Sequence, residues 1–116
     1  MNRYSALFLI AFFLWPVSGS ADLSRAERKD LLQKLSDEYR QFLIDVEPII
    51  EDKERDAFLT LESDPQREVF IDNFWKRHAP KGMAGDAFRT QYYALMEVAA
   101  EKYHRGTDRY RTYMVN

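Results

Sequence analysis

A chain of 116 residues, 46% hydrophobic and 31% charged, has enough apolar content for one folded core and too much for a disordered segment. A formal net charge of −2 provides no broad basic field, so nothing in the composition favours a nucleic-acid or anionic-membrane partner. Cysteine is absent, which excludes disulfides and a lipid-modified amino-terminal cysteine; stability must come from packing.

The amino terminus has the layout of a secretory signal. Asn2 and Arg3 form a short positive region, Tyr4 to Val17 are uncharged and mostly apolar, and the small residues Ser18, Gly19, Ser20 and Ala21 suit cleavage before Asp22. The apolar run falls short of the roughly 20 residues needed to cross a bilayer, and Pro16 interrupts it. The expectation is a signal peptide over 1–21, an exported protein in the periplasm or outside the cell, and no transmembrane segment after cleavage. Losing Arg3 leaves 16 basic and 19 acidic residues, a net of −3. For a chain of this size the core is only marginally sufficient, which leaves room for a partner that buries further surface.

Downstream, glycines and prolines act as punctuation. Ser24 and Glu27 form an S-x-x-E capping box, followed by apolar Leu31, Leu32, Leu35, Tyr39, Phe42, Leu43 and Val46 at helical spacing. Asp30 precedes Lys34 by one turn and Pro48 ends the pattern, so one amphipathic helix is expected across 22–48. A shorter helix is expected from Asp52 as cap through Ala57, Phe58 and Leu61, with Ile49 and Ile50 ahead of it. Ser63-Asp64-Pro65 opens a third, with the acid as cap and the proline at the first helical position; it carries Phe70, Ile71, Phe74, Trp75 and His78 on one broad face and stops at Ala79-Pro80. After the turn Lys81 to Gly85, Asp86 is the expected cap of a fourth, with Phe88, Tyr92, Leu95, Met96, Ala99 and Tyr103 on one face and an end near Gly106. Tyr110, Thr112, Tyr113, Met114 and Val115 favour extended structure, so a β-strand is expected over Arg109–Val115, with no strand among four helices to pair with. The fold class is therefore mainly α: about four helices with a carboxyl-terminal strand, the front part of an α+β domain.

The densest functional-looking cluster is Phe74-Trp75-Lys76-Arg77-His78, which offers Trp75 and Arg77 as binding candidates and His78 as a weak catalytic one. A structural role is favoured, because Phe74 and Trp75 continue the apolar stripe, Asp72 precedes Lys76 by one turn, and His78 suits a helix C-terminus. Only His78 and His104 are available as imidazoles, and neither sits in an H-E-x-x-H arrangement, so no metal or cofactor is expected. Lys81 to Asp86 places glycines ahead of a helix, yet Asp86 would repel a phosphate there. His104, Thr107 and Asp108 together suggest hydrolase chemistry, although Thr107 and Asp108 are also ordinary turn residues. Arg105, Arg109, Arg111, Tyr110 and Tyr113 imitate a nucleic-acid surface, which an exported acidic protein does not need.

The run Asp64-Pro65-Gln66-Arg67-Glu68-Val69-Phe70-Ile71-Asp72-Asn73-Phe74-Trp75-Lys76-Arg77 resembles the central segment of the GWxTD domain family of exported bacterial proteins. That family carries an E-R-x-x-F-I-x-x-F-W-x-x-R-D-P run, then a long aromatic-rich helix, then a Gly-Trp-x-Thr-Asp motif leading into an R-G-R-x-Y-I strand. The similar stretch here is His104-Arg105-Gly106-Thr107-Asp108-Arg109-Tyr110-Arg111-Thr112-Tyr113-Met114, and the resemblance covers roughly residues 50 to 116. This chain has His78-Ala79-Pro80 in place of the family's Arg-Asp-Pro, Asp86-Ala87 in place of its Asn-Glu, and His104-Arg105 in place of its Gly-Trp. Core positions are kept and several polar ones are lost. The resemblance implies a shared scaffold over 49–116, a strand at Arg109 that continues past Asn116, and no established activity.

The expected function is a non-enzymatic interaction or scaffold module of the bacterial cell envelope, with an unknown protein or envelope polymer as partner. Candidate binding residues are Trp75, Arg77, Thr107, Asp108, Arg109 and Arg111. The competing expectation is a hydrolase-like enzyme using His78 or His104 with Asp108 as an acid–base pair.

Overall fold

The computed structural model describes residues 23–116, so the signal-peptide expectation falls outside the described residues. Among these, six helices and no strand are found: α1 (Arg25–Lys34), α2 (Asp37–Asp45), α3 (Asp52–Thr60), α4 (Asp64–His78), α5 (Gly85–Lys102) and α6 (Asp108–Val115). The protein is mainly α as expected, with more helices than four. No helix among the described residues is long and apolar enough to cross a membrane.

The single helix expected over 22–48 is two. Its start is as read: the Glu27 N–H donates to Ser24 Oγ at 3.1 Å and the Ser24 N–H to Glu27 Oε1 at 2.8 Å. At Leu35 and Ser36 the backbone becomes extended, with ψ of 147° and 160°. Ser36 followed by Asp37 and Glu38 is a fresh helix start, an N-cap residue with acids in the first turn. The apolar spacing hides the break because Leu35 and Tyr39, four apart, are both buried on either side of it.

Two caps also move. Glu51, not Asp52, precedes α3, and its N–H donates to Glu54 Oε1 at 2.9 Å. Ala84, not Asp86, precedes α5, and Asp86 sits in the first turn. What the Gly85 position requires is room: a Cβ there would lie 3.0 Å from both the backbone N and the Cγ of Lys76 in α4. This close approach lets α4 and α5 pack tightly after a short turn.

The expected strand over Arg109–Val115 is helix α6. Thr107 Oγ1 accepts the Tyr110 N–H at 3.2 Å, which caps the helix, and Arg111 pairs with Asp108 at 3.0 Å one turn back. Tyr110 and Met114, four apart, are 4% and 5% exposed. Burial with a period of about 3.6 on the α5 surface outweighs the extended preference of tyrosine, threonine and valine, a preference that is largely about context.

The core is built from Leu35, Tyr39, Phe42, Leu43 and Val46 around α2, Phe58, Leu59 and Leu61 from α3, Phe74 and Trp75 from α4, and Tyr92, Met96 and Ala99 from α5, with α6 adding Tyr110 and Met114. No polar or charged residue is buried among them. Helix α5 packs between α4 and α6, and α1 lies against α3. Tyr92 and Tyr93 fasten α5 to the end of α2: the Tyr92 hydroxyl donates to the Asp45 carbonyl at 2.7 Å and the Tyr93 hydroxyl to Asp45 Oδ2 at 3.0 Å. Burial, together with the Asp45 charge, pushes the Tyr93 hydroxyl up to about 12.

The Gly85 contact yields a direct test. Gly85→Ala should destabilise the protein by about 1 to 3 kcal/mol despite alanine's better helix propensity, because backbone atoms of α4 must give way. Urea unfolding followed by circular dichroism measures it, and a neutral or stabilising result would mean that α4 and α5 are not pressed together there.

Candidate functional site

Trp75 is 3% exposed, and its ring lies within 5.2 to 6.4 Å, centroid to centroid, of Phe42, Phe74, Phe88, Tyr92 and Tyr93. Its indole N–H has no hydrogen-bond acceptor among the described residues. A side chain enclosed in this way packs the interior and presents nothing to a partner.

Arg77 and His78, at the end of α4, meet a residue that the sequence does not advertise. Glu54 of α3 receives His78 Nε2 at 2.9 Å on Oε1 and Arg77 at 2.9 Å on Oε2, while the Glu51 N–H also reaches Oε1. The Glu54 side chain is 13% exposed and that of His78 is 20% exposed; the imidazole also packs on Phe74 with ring centroids 4.3 Å apart. Burial raises the Glu54 carboxyl, but the Glu51 N–H, Arg77 and His78 together outweigh it and hold the group below its ordinary 4.5. This is a charged clasp between α3 and α4. Sequence alone hid it because Glu54 is 24 positions from His78.

The junction before α6 is explained by capping. Thr107 donates its hydroxyl to the His104 carbonyl at 2.7 Å and accepts from Tyr110, Gly106 turns the chain at φ +84°, and Asp108 pairs with Arg111. Arg111 in turn donates to Glu47 at 2.9 Å, tying α6 to the segment after α2. His104 is exposed, and among the described residues no hydrogen bond or ion pair joins either histidine to Asp108. The acid–base pair expected between a histidine and Asp108 is therefore not assembled. No group of three or more potential ligands is placed to hold a metal ion among the described residues.

What the structure does bring together is a face on α5 and α6. A shallow groove of about 760 Å³ is lined by Leu95, Tyr103, Asp108, Arg109, Thr112, Tyr113 and Asn116. A second, of about 410 Å³, is lined by Ile49, Phe88, Gln91, Tyr92, Ala94, Leu95, Val98 and Met114. Leu95 belongs to both, so the two grooves adjoin there. Of the candidate binding residues, Asp108 and Arg109 line it; Trp75, Arg77, Thr107 and Arg111 do not, and neither histidine does. The signal for this face lay in the sequence as Phe88, Gln91, Leu95, Val98 and Lys102, a stripe with alternating spacings of three and four beside the buried one.

Two outcomes follow from these contacts. Trp75→Ala should cost about 3 to 5 kcal/mol of unfolding free energy, measured in urea; a small loss would mean that the indole is not packed as described. Glu54 binds its proton more weakly folded than unfolded, so its contribution is complete above pH 4.5 and is lost as pH falls through the lower folded value. The wild-type urea midpoint should fall below pH 4.5, and Glu54→Gln should start lower at pH 7 and fall less; parallel pH profiles would remove the clasp from the account of stability. Comparison of the chain with protein-family models, with curated proteins and with solved structures finds no match.

Proposed function

We propose that this chain is an exported bacterial protein whose helical body serves as a non-enzymatic interaction or scaffold module of the cell envelope, and that it is a divergent relative of the GWxTD family. The carrying observation is the α5–α6 face, where two open grooves adjoin at Leu95 and Val98 is 41% exposed. Apolar side chains arranged in an open groove favour a macromolecular contact over a small substrate held in a cleft. The strand edge expected from sequence is replaced by α6, so the surface offered is helical. The signal-like residues 2 to 21 support export. The family relationship is supported by the Phe-Trp segment, whose Phe74 and Trp75 are core residues and whose Phe70 packs against the core.

Expression of the full chain in a Gram-negative host tests this reading. A photo-crosslinking amino acid at position 98 should give a discrete adduct with an envelope component, on a protein whose mature end is Asp22 by mass spectrometry, and Leu95→Glu should abolish the adduct. Retention in the cytoplasm with an intact amino terminus would contradict export. Turnover of an esterase, peptidase or glycosidase substrate that disappears with His78→Ala would replace the scaffold reading by the acid–base one.

A further inference from the structure

The described part of the chain has a strong internal division of charge. Residues 23–101 hold 12 basic and 17 acidic residues, a net of −5, whereas residues 102–111 hold Lys102, Arg105, Arg109 and Arg111 against Asp108 alone, a net of +3. Arg111 and Asp108 satisfy one another and Glu47. Elsewhere arginines commonly find carboxylates, as in Arg28 with Asp56, Arg55 with Asp52 and Arg67 with Asp64. Lys102, Arg105 and Arg109 have no carboxylate within ion-pair distance among the described residues. Arg109 lines the wider groove together with Asp108, whose carboxylate is taken up by Arg111; Lys102 sits 5.3 Å from the centroid of the lining ring of Tyr113, and Arg105 lies in the turn between α5 and α6 that joins the lining residues Tyr103 and Asp108.

The second groove has a different character, with Ile49, Phe88, Leu95, Val98 and Met114 along its length. From Phe88 to Lys102 the α5 axis runs about 21 Å, or about four turns of helix. A surface of this length that is apolar at one end and cationic at the other matches an amphipathic helix that carries apolar anchors one turn apart and acidic residues beside them. Charge complementarity selects the sign of the partner, because an approaching basic helix would meet three uncompensated cations, while an acidic one would neutralise them.

We propose that the α5–α6 face is a docking groove for an acidic amphipathic helix of a partner protein. The proposal rests on the interaction-module reading and specifies the chemistry of its partner. Phe88, Leu95 and Val98 take the apolar anchors, and Lys102, Arg105 and Arg109 take carboxylates at the end nearest α6. Contacts of this kind steer association and weaken with added salt.

The test uses purified mature protein and two fluorescein-labelled helical peptides of about 14 residues, with leucines at i, i+3 and i+7 and either glutamates or lysines elsewhere. By fluorescence anisotropy, the glutamate peptide should bind at least about tenfold more tightly than the lysine peptide, and this preference should shrink as salt is raised. Arg105→Glu with Arg109→Glu should reduce or reverse it, with folding checked by circular dichroism; both side chains are exposed, so the variant should remain folded. Leu95→Glu should weaken binding of both peptides. Equal binding of the two peptides, or tighter binding of the lysine peptide, would overturn the acidic partner while leaving a docking face in place. No binding of either peptide, or binding indifferent to Leu95→Glu, would overturn the groove itself. Binding to vesicles of phosphatidylglycerol in place of the glutamate peptide would overturn it in favour of a lipid surface.

Discussion

Everything in this fold leans on the meeting of four aromatic rings. Phe42 from α2 lies 5.3 Å from Phe58 of α3, 5.4 Å from Phe74 of α4 and 6.4 Å from Trp75. Phe58 and Phe74 retain no accessible surface. With no disulfide and no buried charged residue among the described residues, the relative positions of the helices are set chiefly by how these rings interlock, with the Glu54 clasp and the Tyr92 and Tyr93 bonds to Asp45 added at their edges. Helix α5 enters the same junction through Tyr92, whose ring lies tilted against Trp75 at 5.4 Å, and α6 is then placed by its contact with α5. The outer groove is thus several contacts removed from the rings and still inherits its shape from them.

The sequence exposed the parts of this arrangement that obey a local rule. Ser24 with Glu27 closes as a capping box, and Pro65 and Pro80 mark the limits of α4, although Ser63 with Gln66, not Asp64, caps it. Where two local rules competed, the readable one misled. The apolar stripe from Leu31 to Val46 was continuous enough to mask a helix start at Ser36. In α6, the extended preference of Tyr110 to Val115 masked a start signal of equal quality: Thr107 as cap, Asp108 in the first turn, and Tyr110 with Met114 on one side. The tertiary surface of α5 decided between them, and no property of residues 107–116 alone could reveal it.

The functional residues divide in the same manner. Trp75 belongs to the interior, as its place in the apolar stripe indicated, and Thr107 and Asp108 serve the helix they begin. Arg77 and His78 are engaged by Glu54, a residue made important only by the crossing of α3 and α4. In the sequence Leu95 reads as part of the core face and Val98 passes unremarked, because an apolar side chain half covered by its own fold differs from a core side chain only in what stands opposite it. That information resides in the packing of α5 against α6.

Helix α1 contributes no fully buried residue, although Leu23 and Leu31 rest against the core and Arg28 reaches Asp56 at 2.8 Å. The extended pair Leu35-Ser36 separates it from α2, and Leu35, at 6% exposure, remains anchored on the body. Opening α1 would break the Arg28–Asp56 ion pair and the Arg40 hydrogen bonds to the Leu32 and Gln33 carbonyls and uncover two leucines, while none of the rings at the aromatic junction belongs to it. The first helix is thus a strap laid over the body, and its opening would leave the aromatic junction beneath intact.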